Sequence, residues 1–179
     1  MIRLSILICT TSARNEIIKP LLESLNKQLV PEVEVLIDNH ETDNVGKKRN
    51  RLLRQAIGDY VVAIDSDDHI SPNYVSLVLA AIKTNPDCVG INGFITTNGK
   101  DKRLWYISID YKKWFTMGSV YYRTPNHISP IRRELALKAM FPEIAFAEDH
   151  EFSVRVFPYL KTEVKIKQPI YHYDYHSVK

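Results

Sequence analysis

The first half of the chain alternates between two hydrophobic patterns. Short apolar, β-branched runs predict strands buried on both faces, over residues 4–9, 33–37, 60–64 and 88–91. Between them, apolar side chains recur at helical spacing over residues 14–29, 45–57 and 72–84. Alternating strands and helices indicate right-handed crossovers. We therefore expect an α/β domain with a mostly parallel, Rossmann-like central sheet flanked by helices.

Proline positions refine two helix starts. Pro20 interrupts the first helical pattern, so its regular part should begin near Lys19. Ser71 before Pro72 is typical of an N-cap and a first helical residue, which predicts that the third helix begins at Pro72.

The pattern changes after Gly93. Residues 94–109 predict a small antiparallel element around an Asn98-Gly99 turn. Two later helices and a last short strand are predicted over residues 129–140, 148–160 and 163–166. Because no repeat or linker divides the sequence, residues 1–179 are expected to form a single domain.

Composition narrows the class of protein. With 45% hydrophobic and 25% charged residues, the chain is typical of a globular domain, which excludes disorder and fibres. A net charge of +3 does not require a nucleic-acid partner. Cys9 and Cys88 are expected to be buried free thiols in a reducing compartment. No stretch predicts a transmembrane segment or signal peptide, so we expect a cytoplasmic protein, or one peripheral to a membrane through a partner.

Polar residues follow the ends of three predicted strands. They are Thr10 and Thr11, then Asp38, then Asp65, Asp67 and Asp68. Each alone is compatible with a turn or helix cap, but in open α/β sheets ligands bind at this edge. Crowded carboxylates repel one another unless a cation or hydrogen-bond donors compensate them, and hard oxygen ligands suit Mg²⁺ or Mn²⁺. The cluster therefore predicts a divalent-metal site.

A basic stretch precedes the carboxylates. Lys48 and Arg49, near the start of a predicted helix, could reach a diphosphate that shares the metal, whereas Arg51 and Arg54 are expected on the solvated helix face. The chain has neither a Walker loop nor a G-x-G-x-x-G motif after the first strand. P-loop NTPases and dinucleotide dehydrogenases are therefore disfavoured.

A second acidic signal opens the last predicted helix. Glu148 and Asp149 are compatible with simple stabilisation of a helix N-terminus by its dipole. They are equally compatible with a general base that accepts a proton from a bound hydroxyl. The residues alone leave both interpretations open.

Five blocks of sequence, in order, resemble the inverting glycosyltransferases of family 2, which have the GT-A fold. They are "ICTTSARNE", "VLIDN", "GKKRNRLLRQAIGDYVVAIDSDD", "PIRREL" and "AEDHEFSVRVF". The third block is the most specific, and the Glu-Asp motif of the last is next. The resemblance covers most of the chain. It implies a nucleotide-sugar-binding half over residues 1–92 and an acceptor-binding half with the catalytic base over residues 93–179.

The resemblance also implies roles for single residues. Thr10, Thr11 and Asp38 would hold the base and ribose of a UDP- or GDP-sugar, with Arg49 helping and Lys48 near the diphosphate. Because the second strand ends in "IDNHETDN" rather than in the paired Asp and Gly-Ser turn usual in the family, base recognition departs from the pattern.

The resemblance implies Mn²⁺ or Mg²⁺ as the cofactor. Asp67 would bind the metal directly, while Asp65 would face the ribose or a metal-bound water. Asp68 lies nearby and has a less defined role. A histidine near the end of the chain sometimes completes the metal shell in this family, which makes His172 and His176 candidates.

On the acceptor side, the resemblance makes Asp149 the catalytic base, with Glu148 beside it at the substrate. Asn126 and His127, in the unclassified segment "YYRTPNHISP", are candidates for sugar or acceptor contact. The implied reaction transfers a sugar to a hydroxyl of a glycan, glycolipid, protein or modified nucleic-acid base. The alternatives are a metal-dependent nucleotidyltransferase and a non-catalytic nucleotide- or sugar-binding module.

Overall fold

A large sheet organises the chain, whose residues 1–175 are described by a computed structural model. The strands of these residues are β1 (Leu4–Cys9), β2 (Val33–Asp38), β3 (Tyr60–Ala63), β4 (His69–Ile70), β5 (Cys88–Thr97), β6 (Lys100–Ile107), β7 (Phe115–Met117), β8 (Val120–Arg123), β9 (Ile131–Arg132), β10 (Glu163–Lys165) and β11 (Tyr171–Tyr175). The helices are α1 (Lys19–Asn26), α2 (Val45–Gln55), α3 (Tyr74–Ala81), α4 (Arg133–Ala139) and α5 (Glu148–Val156).

The sheet runs in the order β2-β1-β3-β9-β5-β6-β8-β7. β1 pairs in parallel with both β2 and β3, as the alternating pattern predicts. β9 is antiparallel to β3 and β5, and β5 forms an antiparallel hairpin with β6. At the hairpin turn, Asn98 and Gly99 both have positive φ, which is the backbone that Asn-Gly favours. The predicted α/β class, with a mostly parallel sheet and a later antiparallel element, is confirmed.

The structure corrects some predicted boundaries. The regular part of α1 begins at Lys19, as expected. The start predicted for the third helix is wrong, because α3 begins at Tyr74 and Asn73 occupies the N-cap position. Ser71 donates its hydroxyl to Asn73 Oδ1 instead of capping the helix backbone. Over residues 1–175, no helix is long and apolar enough to cross a membrane.

Two hydrophobic clusters cover the two faces of the central sheet. Ile6 and Ile8 belong to the first cluster, whereas Leu7 belongs to the second, because successive side chains of a strand point to opposite faces. Cys88 is buried in the second cluster, Cys9 packs against it, and both thiols are free. Burial raises the pKa of Cys9 to about 12. The apolar run of β3 is thus anchored on both faces, which fixes the strand end where the carboxylates lie.

The Asn50 side chain joins α2 to the segment that precedes α5 through two hydrogen bonds. It is buried and bonds both polar groups of one backbone residue, Phe141. The amide donates to the Phe141 carbonyl at 2.9 Å, and the amide oxygen accepts from the Phe141 nitrogen at 2.8 Å. This pair of bonds fixes the approach of the second acidic segment to the basic helix.

We expect Asn50→Ala to lower the free energy of unfolding by roughly 2–6 kcal/mol. The change leaves the buried backbone donor and acceptor of Phe141 without their partner, and each unpaired group costs about 1–3 kcal/mol. Urea unfolding measures the loss. Arg54→Ala, at an exposed position of the same helix, serves as the control and should change stability by less than about 0.5 kcal/mol. Equal stability of the two variants would contradict a stabilising role for the two Asn50 hydrogen bonds.

Candidate active site

Two clefts meet beside the end of β3. The first, named the polar cleft, has a volume of about 530 Å³ and its lining includes Thr10, Thr11, Arg14, Lys48 and Asp67. The second, named the aromatic cleft, has a volume of about 370 Å³ and its lining includes Trp105, Trp114, Tyr121, Arg123, Asp149 and Tyr171. Asp65 and Tyr173 line both clefts, so a ligand in one lies next to a ligand in the other.

A buried arginine joins the two acidic segments. The side chain of Arg49 is only 3% exposed and forms ion pairs with a carboxylate on each side. Its Nη2 donates to Asp65 Oδ1 at 2.7 Å, and its Nη1 donates to Glu148 Oε1 at 2.6 Å. The ring of Phe141 lies beneath the guanidinium, 5.4 Å from its central carbon. Arg49, which the sequence assigned to the nucleotide, is thus engaged by protein carboxylates in this structure.

Asp65 stays ionised because its contacts with Arg49 and His127 compensate its burial. Burial alone would raise the pKa of this carboxyl, but Arg49 and then His127 hold it far below its usual value. His127 Nε2 lies 3.3 Å from Asp65 Oδ2. Glu148, Arg49, Asp65 and His127 therefore form one chain of contacts that runs from α5 to the loop after β8.

Asp68 is buried at the wall of the aromatic cleft. Tyr171 on β11 donates its hydroxyl to Asp68 Oδ2 at 2.5 Å, and Oδ1 is buried without a partner among the described residues. Burial, with the neighbouring Asp65 charge, raises the pKa of Asp68 well above its usual value. Asp68 therefore connects the strand end to β11.

Asp67 lines the polar cleft beside Asp65. Its side chain is half-buried, and its partner in the described part of the chain is Arg14, whose Nη1 lies 3.2 Å from Oδ1. The same nitrogen donates to Ser66 at 2.9 Å. A partly exposed pair of this kind contributes little stability.

The residues assigned to the nucleotide lie in different settings. Thr10 and Thr11 line the polar cleft, and Lys48 Nζ donates to the Thr10 carbonyl at 2.6 Å. Asp38 is buried and accepts from Arg51 Nε at 2.6 Å and from the His40 backbone at 3.0 Å. Arg51, expected on a solvated face, is therefore a partner of Asp38.

Asp149 lies at the aromatic cleft, as a base for an acceptor would require. It is half-buried in the first turn of α5, where its Oδ1 accepts from the His150 nitrogen at 2.8 Å. Asn126 and His127 are buried side chains that line the same cleft. The structure thus brings together the base candidate and the two acceptor-side candidates.

The structure does not bring His172 to the carboxylates. Successive side chains of β11 alternate, so Tyr171 and Tyr173 line the clefts while His172 points the other way. Its Nε2 lies 2.7 Å from Thr96 Oγ1, and its ring stacks on Phe94 at 4.3 Å. This arrangement does not favour His172 as a metal ligand.

The described residues do not by themselves form a complete metal-binding site. Over 1–175, no three His, Cys, Asp or Glu side chains form a group that could hold a metal ion. His176, the other histidine candidate, lies outside that range. A metal at Asp67 would therefore complete its shell with oxygen atoms of a ligand and with water, as Mg²⁺ often does.

Sequence reasoning missed several residues of the site. Arg14 lies in the block "ICTTSARNE" but was given no role there, and Arg123 lies in a segment with no recognisable pattern. Tyr171 and Tyr173 belong to β11, which was not predicted as a strand. The density of aromatic residues in "PIYHYDYHSVK" was the available signal, since a frayed terminus would not need them.

Comparisons with known proteins agree with this geometry. The family model described as glycosyl transferase family 2 matches residues 37–159. The putative glycosyltransferase EpsH of Bacillus subtilis is 24% identical, over 89% of this chain and 57% of its own length. The crystal structure of S. aureus TarS 1-349 in complex with UDP superposes with a TM-score of 0.75 at 23% identity, covering 97% of this chain and 60% of that one. Its complex with UDP-GlcNAc gives 0.74 at 19% identity, covering 99% and 60%.

The chain belongs to glycosyl transferase family 2, the class of glycosyltransferases that its sequence resembles. Its fold is that of TarS, which confirms the GT-A prediction. The chain spans about 57–60% of the length of these relatives.

We expect Arg49→Met to lower the free energy of unfolding by about 3–5 kcal/mol, because it leaves Asp65 and Glu148 without their shared cation. The double variant Arg49→Met/Glu148→Gln should recover part of the loss, since it removes one of the two unpaired charges. Urea unfolding of both variants checks this. Arg54→Met, at an exposed position of the same helix, is the control, and a loss no larger than in the control would contradict the bridge.

Proposed function

We propose that this chain transfers a sugar from a nucleoside diphosphate sugar to an acceptor hydroxyl, with inversion at the anomeric carbon. The observation that carries the proposal is the meeting of the two clefts at Asp65 and Tyr173. The polar cleft has cationic and hydroxyl groups for a nucleotide, and the aromatic cleft has the carboxylate of Asp149. The anomeric carbon would lie at their junction.

The donor would occupy the polar cleft. Its volume of about 530 Å³ is sufficient for a small-molecule ligand. Thr10 and Thr11 would contact the nucleoside, and Arg14 and Lys48 are the cations nearest to a diphosphate in this cleft. TarS has been solved with UDP and with UDP-GlcNAc, which favours a uridine donor over a guanosine one for this chain.

Asp67 fits a divalent cation shared with the diphosphate. Its carboxylate is a hard oxygen ligand, and Arg14 is its partly exposed partner. Mn²⁺ or Mg²⁺ bound there would neutralise charge on the diphosphate. Asp65, held by Arg49 and His127, would act from beside this position rather than as a second direct ligand.

The acceptor would occupy the aromatic cleft with its hydroxyl at Asp149. As the acceptor oxygen bonds to the anomeric carbon, its proton passes to the Asp149 carboxylate. The bond from that carbon to the diphosphate breaks, and the diphosphate leaves with the electron pair. A single displacement of this kind inverts the configuration. Glu148 fixes the start of α5 through Arg49, so it would position Asp149.

The two alternatives, a metal-dependent nucleotidyltransferase and a non-catalytic binding module, are distinguished from a glycosyltransferase by the products that each releases. Transfer releases UDP or GDP from a nucleotide sugar, a nucleotidyltransferase releases pyrophosphate, and a binding module releases neither. A panel of UDP- and GDP-sugars, assayed with and without Mn²⁺, is the direct test. The cytoplasmic or membrane-peripheral location stays a prediction from the sequence.

We expect Asp149→Asn to lower the rate of transfer by about 10²–10⁴-fold, because a positioned general base contributes that factor. Donor affinity, measured by calorimetry with UDP, should change by less than about twofold, since Asp149 lies in the other cleft. Glu151→Gln, an exposed change on the same helix, is the control. Full transfer activity in Asp149→Asn would remove this residue from the mechanism.

We expect Asp67→Asn to abolish the gain in UDP affinity that Mn²⁺ produces, because it removes the carboxylate proposed to hold the ion. Calorimetric titration with UDP, in the presence and absence of Mn²⁺, measures that gain. Asp59→Asn, at the far end of β3, is the matched control. If the Mn²⁺-dependent gain persists in Asp67→Asn, the metal assignment fails.

A further inference from the structure

Arg123 stands apart from the other arginines of the site. It ends β8, is half-buried, and lines the aromatic cleft together with Asp149. Arg49 contacts two carboxylates, Arg51 contacts two, and Arg14 contacts one. No carboxylate of the described residues lies within 4.0 Å of the Arg123 guanidinium.

The protein fixes the guanidinium of Arg123 without neutralising it. Nη1 donates to the backbone carbonyls of Phe115, at 2.9 Å, and of Tyr122, at 3.0 Å. The central carbon lies 4.9 Å from the Trp114 ring centre and 5.0 Å from that of Tyr121. These contacts set the plane of the group. Nε and Nη2 have no partner among residues 1–175 and are not fully buried, so both can donate to a ligand.

The charge of Arg123 is incompletely compensated. Burial lowers the pKa of its guanidinium, and Tyr121 and Asp149 oppose that shift only in part. A cation that has lost hydration without gaining an ion pair is costly, so the site favours an anion from outside the chain. A surface arginine would gain little from such a ligand, because water already solvates it.

We propose that Arg123 selects the acceptor by binding an anionic group, a phosphate or a carboxylate, that the acceptor carries near the attacked hydroxyl. This inference rests on the proposed function, because it takes the aromatic cleft as the acceptor site. The Nε and Nη2 donors match the two oxygens of such a group in a bidentate contact. The acceptor is then a phosphorylated or carboxylated carbohydrate.

The two charges of the aromatic cleft give the acceptor one orientation. An anionic group is attracted to Arg123 and repelled by Asp149, which directs the hydroxyl rather than the anion to the base. Trp105, Trp114 and Tyr121 supply apolar surface for the carbon skeleton between them. A neutral acceptor would gain the apolar contacts without the orientation.

The tryptophans provide a direct assay. The chain has two of them, Trp105 and Trp114, and both line the aromatic cleft. Their fluorescence therefore reports binding in this cleft and not in the polar one. The protein, saturated with UDP, is titrated with glucose 6-phosphate, glucuronate and glucose at matched ionic strength.

We expect at least one anionic ligand to bind about tenfold or more tightly than glucose, because a charge-assisted pair in a half-buried cleft is worth that factor. Preference for glucose 6-phosphate over glucuronate assigns a phosphate, and the reverse assigns a carboxylate. Arg123→Gln should remove the preference and leave glucose affinity within about twofold, while Arg123→Lys should retain part of it. Equal affinity for all three ligands in the unaltered protein would overturn the proposal.

The control is Arg103→Gln, which removes an exposed arginine that donates to the Tyr121 hydroxyl. Arg103→Gln should keep the preference for anionic ligands. The proposal is overturned if that preference survives in Arg123→Gln, or if it disappears in Arg103→Gln. Unchanged UDP affinity verifies that each variant is folded. Nucleotide release from a nucleotide sugar is measured separately: transfer without anion preference defeats only this inference, and anion preference without any transfer defeats only the proposed function.

Discussion

The site depends on one buried cation. Arg49 lies between two carboxylates that belong to distant parts of the sequence, Asp65 at the end of β3 and Glu148 at the start of α5. The two carboxylates are the ion-pair partners that compensate the burial of this guanidinium. The bridge therefore links the end of β3, where Asp65 lines both clefts, to the start of α5, where Asp149 lines the aromatic cleft.

Around this bridge, each neighbour limits the freedom of the next. Asn50, one residue further along α2, fixes the backbone at Phe141, whose ring lies beneath the Arg49 guanidinium. His127 completes the contacts of Asp65 from the side of the aromatic cleft. The three acidic residues therefore differ in their partners: Asp65 has a buried arginine, Asp68 has a tyrosine hydroxyl, and Asp67 has a half-buried arginine at the polar cleft.

The sequence predicted well what depends on local pattern. The apolar runs located β1 and β3, and their carboxyl ends located Thr10, Asp65 and Asp67 at one edge, because parallel strands place such ends together. It predicted poorly what depends on contacts between distant residues. Nothing near Arg123 indicates a pair of aromatic rings around it, and nothing near Arg49 indicates that a glutamate 99 positions away accepts its hydrogen bond. The predicted start of α3 was wrong because the Ser71 hydroxyl bonds a side chain, that of Asn73, rather than a backbone nitrogen of the helix.

The pairing of β11 determines when the lining of the two clefts can be completed. This strand lies against β4 and β5, so that Tyr171 contacts Asp68, a residue separated from it by 103 positions. Among the described strands β11 is synthesised last, because it follows the others in the sequence. Neither cleft has its full lining until Tyr171 and Tyr173 dock. A chain interrupted before β11 would therefore lack Tyr173 from both clefts and Tyr171 from the aromatic cleft.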